Sequence, residues 1–422
     1  MDLTTTSLLE ALHRRRADRP PVLLLGGLNL IRPLGMAGIP VIVASSDPRN
    51  PAFHSRYCDA RWALPSSEER SAWLAALLQL GGCLQQLHGT RIPLVYGNDD
   101  TLDAIQDCQH DLSSCFRMVL NDPDVARALI AKDRFAALAR ERDIPVPRTL
   151  AWDGDGDQSL SRYCGPVLVK PRSKVAWEES PVLMSLLHGR GKALVFERPQ
   201  DLLQSALAQQ LREQLCLQEY IPGDDRSIWS FHGFADERSR LLAWFIGRKI
   251  RTYPALTGVS TYLELAHNRT LAALGHEIVG RIPLKGVFKI DLKQNECTGE
   301  FRVLEVNARF NLWHYLGAAN GINLPRIAYD YMVHGVRPAR SPAYDTRVRW
   351  LYLKGDFQAF RELAAQRKLG AFRWIRSLLR SPKVYDLFSW SDPGPFLHQW
   401  RGRGASAALR LRARVRWPST AS

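Results

Sequence analysis

Three polar side chains of different types alternate with apolar residues in the stretch "FRVLEVNARFN", which runs from Phe301 to Asn311. They are Glu305, Asn307 and Arg309. Because successive side chains of a strand point to opposite faces, these three share one face of a predicted strand. The opposite face is expected to pack in a core and contains Leu304, Val306, Ala308 and Phe310. Ordinary half-solvated strands alternate in the same way, so the neighbouring segments decide whether the polar face does chemistry.

A second apolar segment, "VFKIDLKQN", precedes this stretch, and a polar turn that contains Gly299 separates the two. The pattern predicts a β-hairpin. On the first strand Lys289 and Asp291 point away from the apolar residues, so pairing of the strands would bring Asp291 beside Glu305 and Asn307. Two carboxylates and an amide oxygen are hard donors that suit Mg²⁺. A divalent cation would also remove the repulsion between two buried carboxylates.

The elements that have to position such a site begin with an alternating strand and helix pattern. From Pro21 the segment "PVLLLGGLNLIRPLGMAGIPVIVAS" predicts a buried strand, a Gly turn, a helix and a second strand, and "IPLVYGNDD" adds a third strand. This alternation predicts a parallel α/β sheet. The third strand ends at Asn98, Asp99 and Asp100, where an open sheet gathers its ligands. Alternatively, an acid of this cluster caps the next helix.

A second region begins at "NDPDVARALIAKDRFAALARERDIPVPRT", where Asn121 or Asp122 can cap a helix that has Pro123 in its first turn. The segments "PVLVKPR" and "KALVFERP" predict strands, and a helix and then "LCLQEYIPGDD" follow them. The strands "SIWSFHGF" and "RLLAWFIGRKI" are predicted to be antiparallel and to precede the hairpin. From about Val336 the chain becomes a looser region rich in Arg and Trp.

The hairpin carries the first part of a resemblance to a known family. "FKID" followed by "LEVNAR" resembles the paired metal-binding strands of the ATP-grasp superfamily of ligases. Lys132, in "IAKDRF", matches the lysine that opens the ATP-binding region of that family. Lys170, in "VLVKPR", matches its second, phosphate-contacting lysine. Two lysines acting as point charges suit a triphosphate.

The segment "QEYIPGDD" matches the hinge that holds adenine in these ligases. The resemblance places Glu219, Tyr220 and Ile221 along the hinge backbone, whose donors and acceptors would face the adenine edge. Asp225 stands where a ribose-binding acid is expected, and Asp224 is the alternative.

The chain of 422 residues is too long for one core, so several domains are expected. The resemblance implies a multidomain α/β and α+β chain, with an ATP-grasp fold that follows an N-terminal Rossmann-like parallel-sheet domain. We expect this first domain at 1–120, the ATP-grasp domain at 121–335, and a C-terminal extension with a basic tail at 336–422. The ATP-grasp domain is expected to contain a small lid subdomain at about 148–220 and a metal-binding subdomain at about 221–335.

The motifs "GRKIRTYP", "TGVSTYLE" and "YLGAANGINLPRIAYDYMVHG" narrow the resemblance to a carboxylate–amine ligase branch that is similar to D-aspartate ligase. This resemblance implies an enzyme that uses ATP to join a small-molecule carboxylate and an amine through an acyl phosphate, with release of ADP and phosphate. It implies Mg²⁺, with Mn²⁺ as an alternative, on Asp291, Glu305 and Asn307. Arg309 would bind the acyl phosphate or a substrate carboxylate, and the further implied anion contacts of the same cleft are Lys249 and Arg251.

Two features depart from the family pattern. The family covers the phosphates with a Gly/Ser-rich loop soon after the second lysine, whereas only Gly189 and Gly191 supply flexible backbone here. A mobile lid is expected between Arg172 and Gly191, because an acyl phosphate has to be shielded from water. Asp291 stands where many relatives carry Glu, so the metal is expected to lie closer to that strand or to bind through water.

Three features of the sequence predict the cellular compartment of the protein. Seven cysteines are scattered without CxxC or zinc-like spacing, which is typical of reduced thiols in a cytoplasmic protein. The start "MDLTTTSLLEALHRRRADRP" places its basic cluster after the apolar residues, the wrong order for a secretory signal. No apolar run approaches the roughly 20 residues that a membrane helix needs. We therefore expect a cytoplasmic protein.

The net charge of +15 favours acidic partners. Six arginines and no acid lie between Arg401 and Trp417. As a strand, this tail would present one basic face, formed by Arg410, Arg412, Arg414 and Arg416. Such a face would give weak contact with an anionic surface, and a solvated tail is the alternative. No stable nucleic-acid partner is expected, and a homo-oligomer stays open.

Two other functions compete with the ligase. An NAD-dependent oxidoreductase would use the Gly turn after the first strand and Asp47, but Gly26 and Gly27 are adjacent and the GxGxxG spacing fails. A non-catalytic protein that binds polyanions or membrane surfaces would combine the basic tail with a degenerate ATP fold.

Overall fold

The computed structural model describes residues 19–150, 152, 160, 162–171, 193–205 and 210–401, with Lys132 and Asp133 described by their backbone alone. The expected lid at 172–191 and the basic tail after Arg401 therefore lie outside the described residues. The chain divides into two units, one of Met1–Arg117 with Tyr385–Ser422 and one of Met118–Val384. Residues after 335 thus contribute to both units.

The first unit is built on a five-stranded sheet with the strand order β3-β2-β1-β4-β5, in which the neighbouring strands pair in parallel. Its elements are β1 (Val22–Leu25), α1 (Leu28–Met36), β2 (Val41–Ser45), β3 (Ala60–Ala63), α2 (Arg70–His88), β4 (Ile92–Tyr96), α3 (Asp99–Asp107), α4 (Gln109–Leu112) and β5 (Phe116–Arg117). The predicted parallel sheet is confirmed. Every residue of β1 and β4 is buried, as expected for strands covered on both faces.

The polar cluster at the end of β4 begins α3. The side-chain oxygen of Asn98 accepts a hydrogen bond from the backbone N–H of Thr101 at 2.7 Å. Asn98 is therefore the N-cap, and Asp99 and Asp100 occupy the first turn, where their charge favours the helix dipole.

A buried ion pair fixes the C-terminal segment in this unit. Arg32 of α1 and Asp392 are both buried, and their Nε and Oδ2 atoms lie 3.1 Å apart. Asp392 also accepts hydrogen bonds from the Ser55 hydroxyl at 2.9 Å and the Arg56 backbone at 2.8 Å. Arg32 donates in addition to the carbonyl of Leu387. Removing one partner of such a pair costs about 3–5 kcal/mol, so these contacts anchor the segment.

The second unit starts with two helices and a small antiparallel sheet. The elements are α5 (Pro123–Ile130), α6 (Lys132–Glu141), β6 (Thr149–Leu150), β7 (Val167–Pro171), β8 (Leu194–Phe196), α7 (Pro199–Leu203) and β9 (Leu215–Glu219). The strand order is β6-β9-β7-β8. Alternate residues of β7 and β9 bury a separate apolar cluster, which includes Val167, Val169, Leu202, Leu215 and Leu217. This sheet therefore has its own small core.

A seven-stranded sheet forms the rest of the second unit, with the order β14-β13-β10-β11-β12-β15-β16. Its elements are β10 (Ile228–Ala235), β11 (Leu241–Tyr253), β12 (Val259–Leu265), α8 (Arg269–Arg281), β13 (Gly286–Gln294), β14 (Phe301–Asn307), α9 (Trp313–Ala319), α10 (Leu324–His334), β15 (Arg349–Leu351), α11 (Leu353–Ala365), α12 (Ala371–Leu379) and β16 (Lys383–Tyr385). The segment after 335, expected as a separate extension, thus adds two strands to the edge of this sheet.

The predicted antiparallel pairs are confirmed: β10 pairs with β11, and β13 pairs with β14. Gly299 adopts a φ of +77° in the turn between β13 and β14, a conformation that side chains with a Cβ rarely adopt. In the part of the chain that the structure describes, no helix combines the length and apolarity that a membrane crossing requires.

Candidate functional site

Strands β13 and β14 place the predicted metal ligands next to one another. Asp291 lies directly opposite Glu305, and Lys289 lies opposite Asn307. Because opposed residues of an antiparallel pair share a face, all four side chains lie on one face of the sheet. The hairpin predicted from alternation alone therefore brings Asp291, Glu305 and Asn307 together.

One detail of the predicted alternation is wrong. The pairing register shifts between Asp291 and Leu292, so that Leu292 faces Val303 and Leu304 becomes the extra residue of a β-bulge. Val303 is consequently buried, whereas Leu304, expected in the core, is only half-buried. The bulge lies beside Glu305, and bulges near functional sites commonly re-aim a side chain.

Hydrogen bonds tie the polar face together. The Asn307 amide nitrogen donates to Glu305 Oε1 at 3.1 Å and to Asp291 Oδ2 at 3.4 Å. The Lys289 ammonium lies 2.5 Å from Asp291 Oδ2. Positive charge and N–H donors thus stand against both carboxylates. A cation in this position would turn the Asn307 amide so that its oxygen, rather than its nitrogen, faces the carboxylates.

Asp291 is a buried carboxylate with one unpartnered oxygen. It is 4% exposed, and its Oδ1 atom has no hydrogen-bond partner among the described residues. Burial raises the pKa of Asp291 and the charge of Glu305 raises it further, while Lys289 and Lys249 oppose both effects. An unpartnered buried carboxylate oxygen is costly, and a hard cation coordinated there would remove that cost. The residues therefore fit a Mg²⁺ site.

Besides its two carboxylates, this polar face offers the amide oxygen of Asn307 to a metal ion. Across the described ranges, no three His, Cys, Asp or Glu side chains come together in a metal-binding arrangement. A metal bound at this face would take its protein oxygens from two carboxylates and Asn307, and water and phosphate oxygens are the usual remaining Mg²⁺ ligands.

Neutral side chains of β10 lie beside this polar face. Ser230 stands opposite Asp291 and His232 stands opposite Lys289. The Ser230 hydroxyl and His232 Nε2 are 3.0 Å apart and share a hydrogen bond. Burial lowers the pKa of His232 well below its usual value, and the positive charge of Lys289 acts in the same direction. The imidazole is therefore neutral. Because Ser230, His232 and Asp291 are all buried, electrostatic interactions at Asp291 are only weakly screened by water.

Strand β11 separates two side chains that the sequence placed in one cleft. Lys249 pairs with Leu263, but Arg251 pairs with Tyr262 because the register shifts between them. Leu263 and Tyr262 are adjacent and point to opposite faces, so Lys249 and Arg251 do as well. Burial raises the pKa of both Asp291 and Asp225, and the positive charge of Lys249 opposes this rise at both, so the charge lies near the site.

The prediction that Arg251 contacts an anion in the cleft is wrong. Its Nε and Nη2 atoms bind the two carboxylate oxygens of Asp356 at 2.7 and 2.9 Å, and both residues are buried. Nη2 also donates to the Ser377 hydroxyl at 3.0 Å, and the guanidinium lies 4.7 Å from the Tyr262 ring centroid. The β-bulge therefore gives Arg251 a structural role under α11 and α12.

The predicted hinge continues from β9. The backbone N–H of Glu219 donates to the Arg148 carbonyl at 2.9 Å, and that of Tyr220 donates to the Pro166 carbonyl at 3.2 Å. The Glu219 carboxylate accepts from the Arg148 backbone at 3.0 Å. The fold thus uses the first two hinge donors, and Ile221, whose side chain is buried, follows them.

Asp225, expected to bind ribose, is engaged within the fold. Its Oδ1 accepts hydrogen bonds from the Thr252 hydroxyl at 2.8 Å and the Leu256 backbone at 2.7 Å, and its Oδ2 accepts from the Thr252 backbone at 2.8 Å. Burial nevertheless raises the pKa of Asp225. These contacts favour a structural role, whereas the neighbouring Asp224 is exposed and caps a 3-10 turn through the Arg226 backbone at 2.7 Å.

Sequence reasoning missed Lys293 of β13. This lysine is buried, and its ammonium lies 4.3 Å from the Tyr220 ring centroid. Burial lowers its pKa to about 8, against the charges of Asp225, Glu296 and Asp224, and the nearby Lys170 lowers it further. Lys293 therefore lies close to the hinge residue Tyr220 and near Lys170, the second predicted lysine. The signal was present: Lys289, Asp291 and Lys293 alternate along one strand.

The remaining predicted residues are placed as follows. Lys170 lies on β7 opposite Cys216. Lys132 is the first residue of α6, and its side chain lies outside the description. Arg309 follows β14, and its Nη2 donates to the Asn307 side-chain oxygen at 3.4 Å, so its guanidinium adjoins the predicted ligands.

The chain is similar to known proteins in sequence and in fold. No family model matches it. Among curated proteins, a D-aspartate ligase from Enterococcus faecium (strain Aus0004) is 22% identical over 313 residues, which covers 72% of each chain.

Two solved structures illustrate the structural likeness. N5-carboxyaminoimidazole synthetase from Staphylococcus aureus matches with a TM-score of 0.57 and 13% identity, over 77% of this chain and 80% of that one. The biotin carboxylase domain of 2-oxoglutarate carboxylase from Hydrogenobacter thermophilus, solved with MgADP, ADP and bicarbonate, matches with a TM-score of 0.54 and 14% identity, over 78% and 73% of the two chains. At these identities the likeness shows the fold, and the predicted fold class is confirmed.

Proposed function

We propose that this chain, which is similar in sequence to a D-aspartate ligase and similar in fold to N5-carboxyaminoimidazole synthetase, is an ATP-grasp ligase. It would join a carboxylate to an amine through an acyl phosphate. A substrate carboxylate oxygen attacks the γ-phosphorus of ATP, and the bond between that phosphorus and the β,γ-bridging oxygen breaks to release ADP. The amine then attacks the acyl carbon, phosphate leaves, and the amine loses a proton to give the amide.

The buried carboxylate of Asp291 carries this proposal. Its Oδ1 atom has no hydrogen-bond partner in the described chain, and Glu305 and Asn307 adjoin it. These three residues would hold Mg²⁺, with Mn²⁺ as an alternative ion. When bound, a divalent ion would supply positive charge that neutralises the charge developing on the phosphates. Because Asp291 is shorter than Glu, we propose that water completes the coordination on its side.

The nucleotide would be held by lysines and by hinge backbone. Lys170 and Lys132 are proposed to contact the phosphates, since an ammonium acts as a point charge toward a triphosphate. The Glu219 and Tyr220 N–H groups are paired within the fold. We therefore assign the adenine-facing donor to Ile221, and the acceptors to the hinge carbonyls. The exposed Asp224 is proposed for the ribose in preference to the engaged Asp225.

Lys249 and Arg309 would stabilise the charge that moves during phosphoryl transfer. Both lie near the proposed metal ligands: burial raises the pKa of Asp291 and the charge of Lys249 opposes this rise, and Arg309 hydrogen-bonds Asn307 at 3.4 Å. A planar guanidinium can bind a carboxylate or an acyl phosphate through two parallel hydrogen bonds. We therefore assign carboxylate binding to Arg309 and charge stabilisation to Lys249. Fixed charges in a dry site contribute most of the rate in such reactions.

The experiment that tests the reaction separates its two products. Purified protein is incubated with MgATP and a panel of carboxylate and amine pairs, beginning with D-aspartate because the curated relative is a D-aspartate ligase. We expect ADP and phosphate in equal amounts with the amide, and only when both substrates are present. AMP with pyrophosphate would instead identify adenylation and contradict the acyl phosphate.

Binding of MgATP without turnover of any substrate pair would favour the non-catalytic alternative. That outcome is told apart from a missing substrate by positional isotope exchange in ATP, because an enzyme that forms an acyl phosphate scrambles the β,γ-bridging oxygen with the carboxylate alone.

A further inference from the structure

Helix α12, Ala371–Leu379, divides its surface into three faces. At roughly 100° per residue, Trp374, Ser377 and Leu378 fall on one side of the helix. Phe372, Ile375 and Leu379 form a second strip, which we call the apolar strip. Arg373, Arg376 and the following Arg380 form a third strip, which we call the basic strip. The burial of each residue follows this division.

The first face is tied to the protein. The Trp374 indole N–H donates to Asp356 Oδ2 at 2.8 Å, and the Trp374 ring stacks on Phe360 with centroids 4.6 Å apart. The Ser377 carbonyl accepts from the Tyr262 hydroxyl at 2.7 Å. These contacts fix the rotation of the helix about its axis, so the other two faces are held outward.

All three side chains of the apolar strip are exposed to solvent. Phe372 is 77% exposed, Ile375 49% and Leu379 79%. The half-exposed Phe357 of α11 contacts Trp374 on the first face, with ring centroids 5.9 Å apart. An apolar patch on a fixed helix indicates a binding surface.

The basic strip lies in a segment of the chain that has no acidic residue. Between Glu362 and Asp386 the chain contains six basic residues and no acidic one. They are Arg367, Lys368, Arg373, Arg376, Arg380 and Lys383. A short helix with an apolar strip beside an arginine row has the pattern of an interfacial helix, which lies in the plane of a membrane surface.

We propose that α12 docks this protein on an anionic lipid surface. The apolar strip would enter the boundary between headgroups and acyl chains, and the arginines would lie at the level of the lipid phosphates. Nucleic acid offers little apolar surface to Phe372 and Leu379, and a second copy packed antiparallel across this strip would oppose one arginine row to another. This surface is separate from the basic tail, and the proposal does not depend on the ligase activity.

The test is sedimentation of the full chain with vesicles of phosphatidylcholine alone or with phosphatidylglycerol added. We expect the protein to pellet with the anionic vesicles and to stay in solution with neutral ones. Replacing the apolar strip by Phe372→Ser, Ile375→Ser and Leu379→Ser should weaken binding at least about tenfold. Replacing the basic strip by Arg373→Gln, Arg376→Gln and Arg380→Gln should weaken it about 100-fold, at about fivefold per arginine.

Matched variants separate the strips from general charge and hydrophobicity. Met36→Ser, Val259→Ser and Val336→Ser remove three exposed apolar side chains elsewhere, and Arg49→Gln, Arg127→Gln and Arg326→Gln remove three exposed arginines. Both control sets keep α12 intact and should bind as the unmodified chain does. All variants retain the tail, so its contribution cancels.

Three results would overturn the proposal. The first is failure of the unmodified chain to bind anionic vesicles. The second is equal loss of binding in the control sets and the α12 sets, since general charge would then explain retention. The third is a dimer of the unmodified chain that the apolar-strip variant converts to a monomer, with no vesicle binding by either, because the strip would then join two copies.

Discussion

Two buried aspartates of the same unit differ in how their charge is satisfied. Asp356 accepts hydrogen bonds at both oxygens, from Arg251 at 2.7 and 2.9 Å, from Thr261 at 3.2 Å and from Trp374 at 2.8 Å. Asp291 is also buried, but only its Oδ2 atom is engaged, and its Oδ1 atom lacks a partner in the described residues.

This difference separates structural from functional use of a buried charge. A carboxylate that is fully paired loses several kcal/mol when one partner is removed, because the remaining charge is left uncompensated. A carboxylate that is left partly unpaired destabilises the protein until a ligand supplies the missing charge. Asp356 therefore stabilises the sheet and its helices, whereas we propose that Asp291 binds a ligand.

Asp291→Asn tests the functional side and should have the largest effect. We expect ADP formation to fall about 1,000-fold, equivalent to about 4 kcal/mol, since the amide keeps an oxygen donor but no longer supplies the negative charge that balances Mg²⁺. The free energy of unfolding should fall by less than in Asp356→Asn, because the charge removed has an unpartnered oxygen, although Lys289 loses its ion pair. Product analysis measures ADP formation, and thermal melting without metal measures the change in stability. A large drop in melting temperature would place Asp291 with the structural group instead.

Asp356→Asn tests the structural side. Loss of the charge that pairs with Arg251 should destabilise the protein by about 3–5 kcal/mol. The rate of ADP formation per folded molecule should change little, since Arg251 lies on the opposite face of β11 from Lys249. Urea unfolding measures the loss of stability. An activity assay at low temperature, where the variant is folded, measures the rate of ADP formation. Loss of activity in a fully folded Asp356→Asn protein would contradict the division between the two aspartates.

Asp225→Asn and Asp224→Asn sharpen the comparison at the hinge. Asp225 accepts three hydrogen bonds from Thr252 and Leu256, and an Asn amide would set an N–H against one of those donors. We expect a loss of about 1–3 kcal/mol in unfolding free energy. Asp224→Asn should instead raise the KM for ATP with an unchanged melting temperature. The reverse pattern would return the ribose role to Asp225.

Lys293→Met should have the smallest effect. The substitution keeps the volume of a buried side chain and removes a positive charge beside Tyr220 and Lys170. We expect the KM for ATP to rise about three- to tenfold, equivalent to roughly 1 kcal/mol, with kcat nearly unchanged. An equal fall in kcat and in kcat/KM would place Lys293 at the transferring phosphoryl group instead.

Most of the fold followed from the sequence because its signals are local. Continuous apolar strands separated by a helix predicted the parallel sheet around β1, and alternation with a Gly turn predicted the hairpin of β13 and β14. These patterns also brought Asp291, Glu305 and Asn307 to one face. Lys293 could have been found in the same way, since it continues the alternation of Lys289 and Asp291.

The parts that failed depend on register and on distant partners. One bulge moved Leu304 out of the core, and another turned Arg251 away from Lys249. A single extra residue reverses the facing of all that follows, and alternation alone does not reveal where it is inserted. The acid that binds Arg251 lies 105 residues further along the chain. Such a pairing has no local signal in one sequence.

The central claim is that Asp291, Glu305 and Asn307 hold the metal that ATP requires. Its most direct test is the Mg²⁺ dependence of ADP formation in Glu305→Gln, with Glu300→Gln as the control on the same hairpin. Glu305 and Glu300 are both exposed, so neither change should unfold the protein. We predict that Glu305→Gln abolishes Mg²⁺-dependent ADP formation while Glu300→Gln keeps it. Full activity of Glu305→Gln at every Mg²⁺ concentration would contradict the assignment.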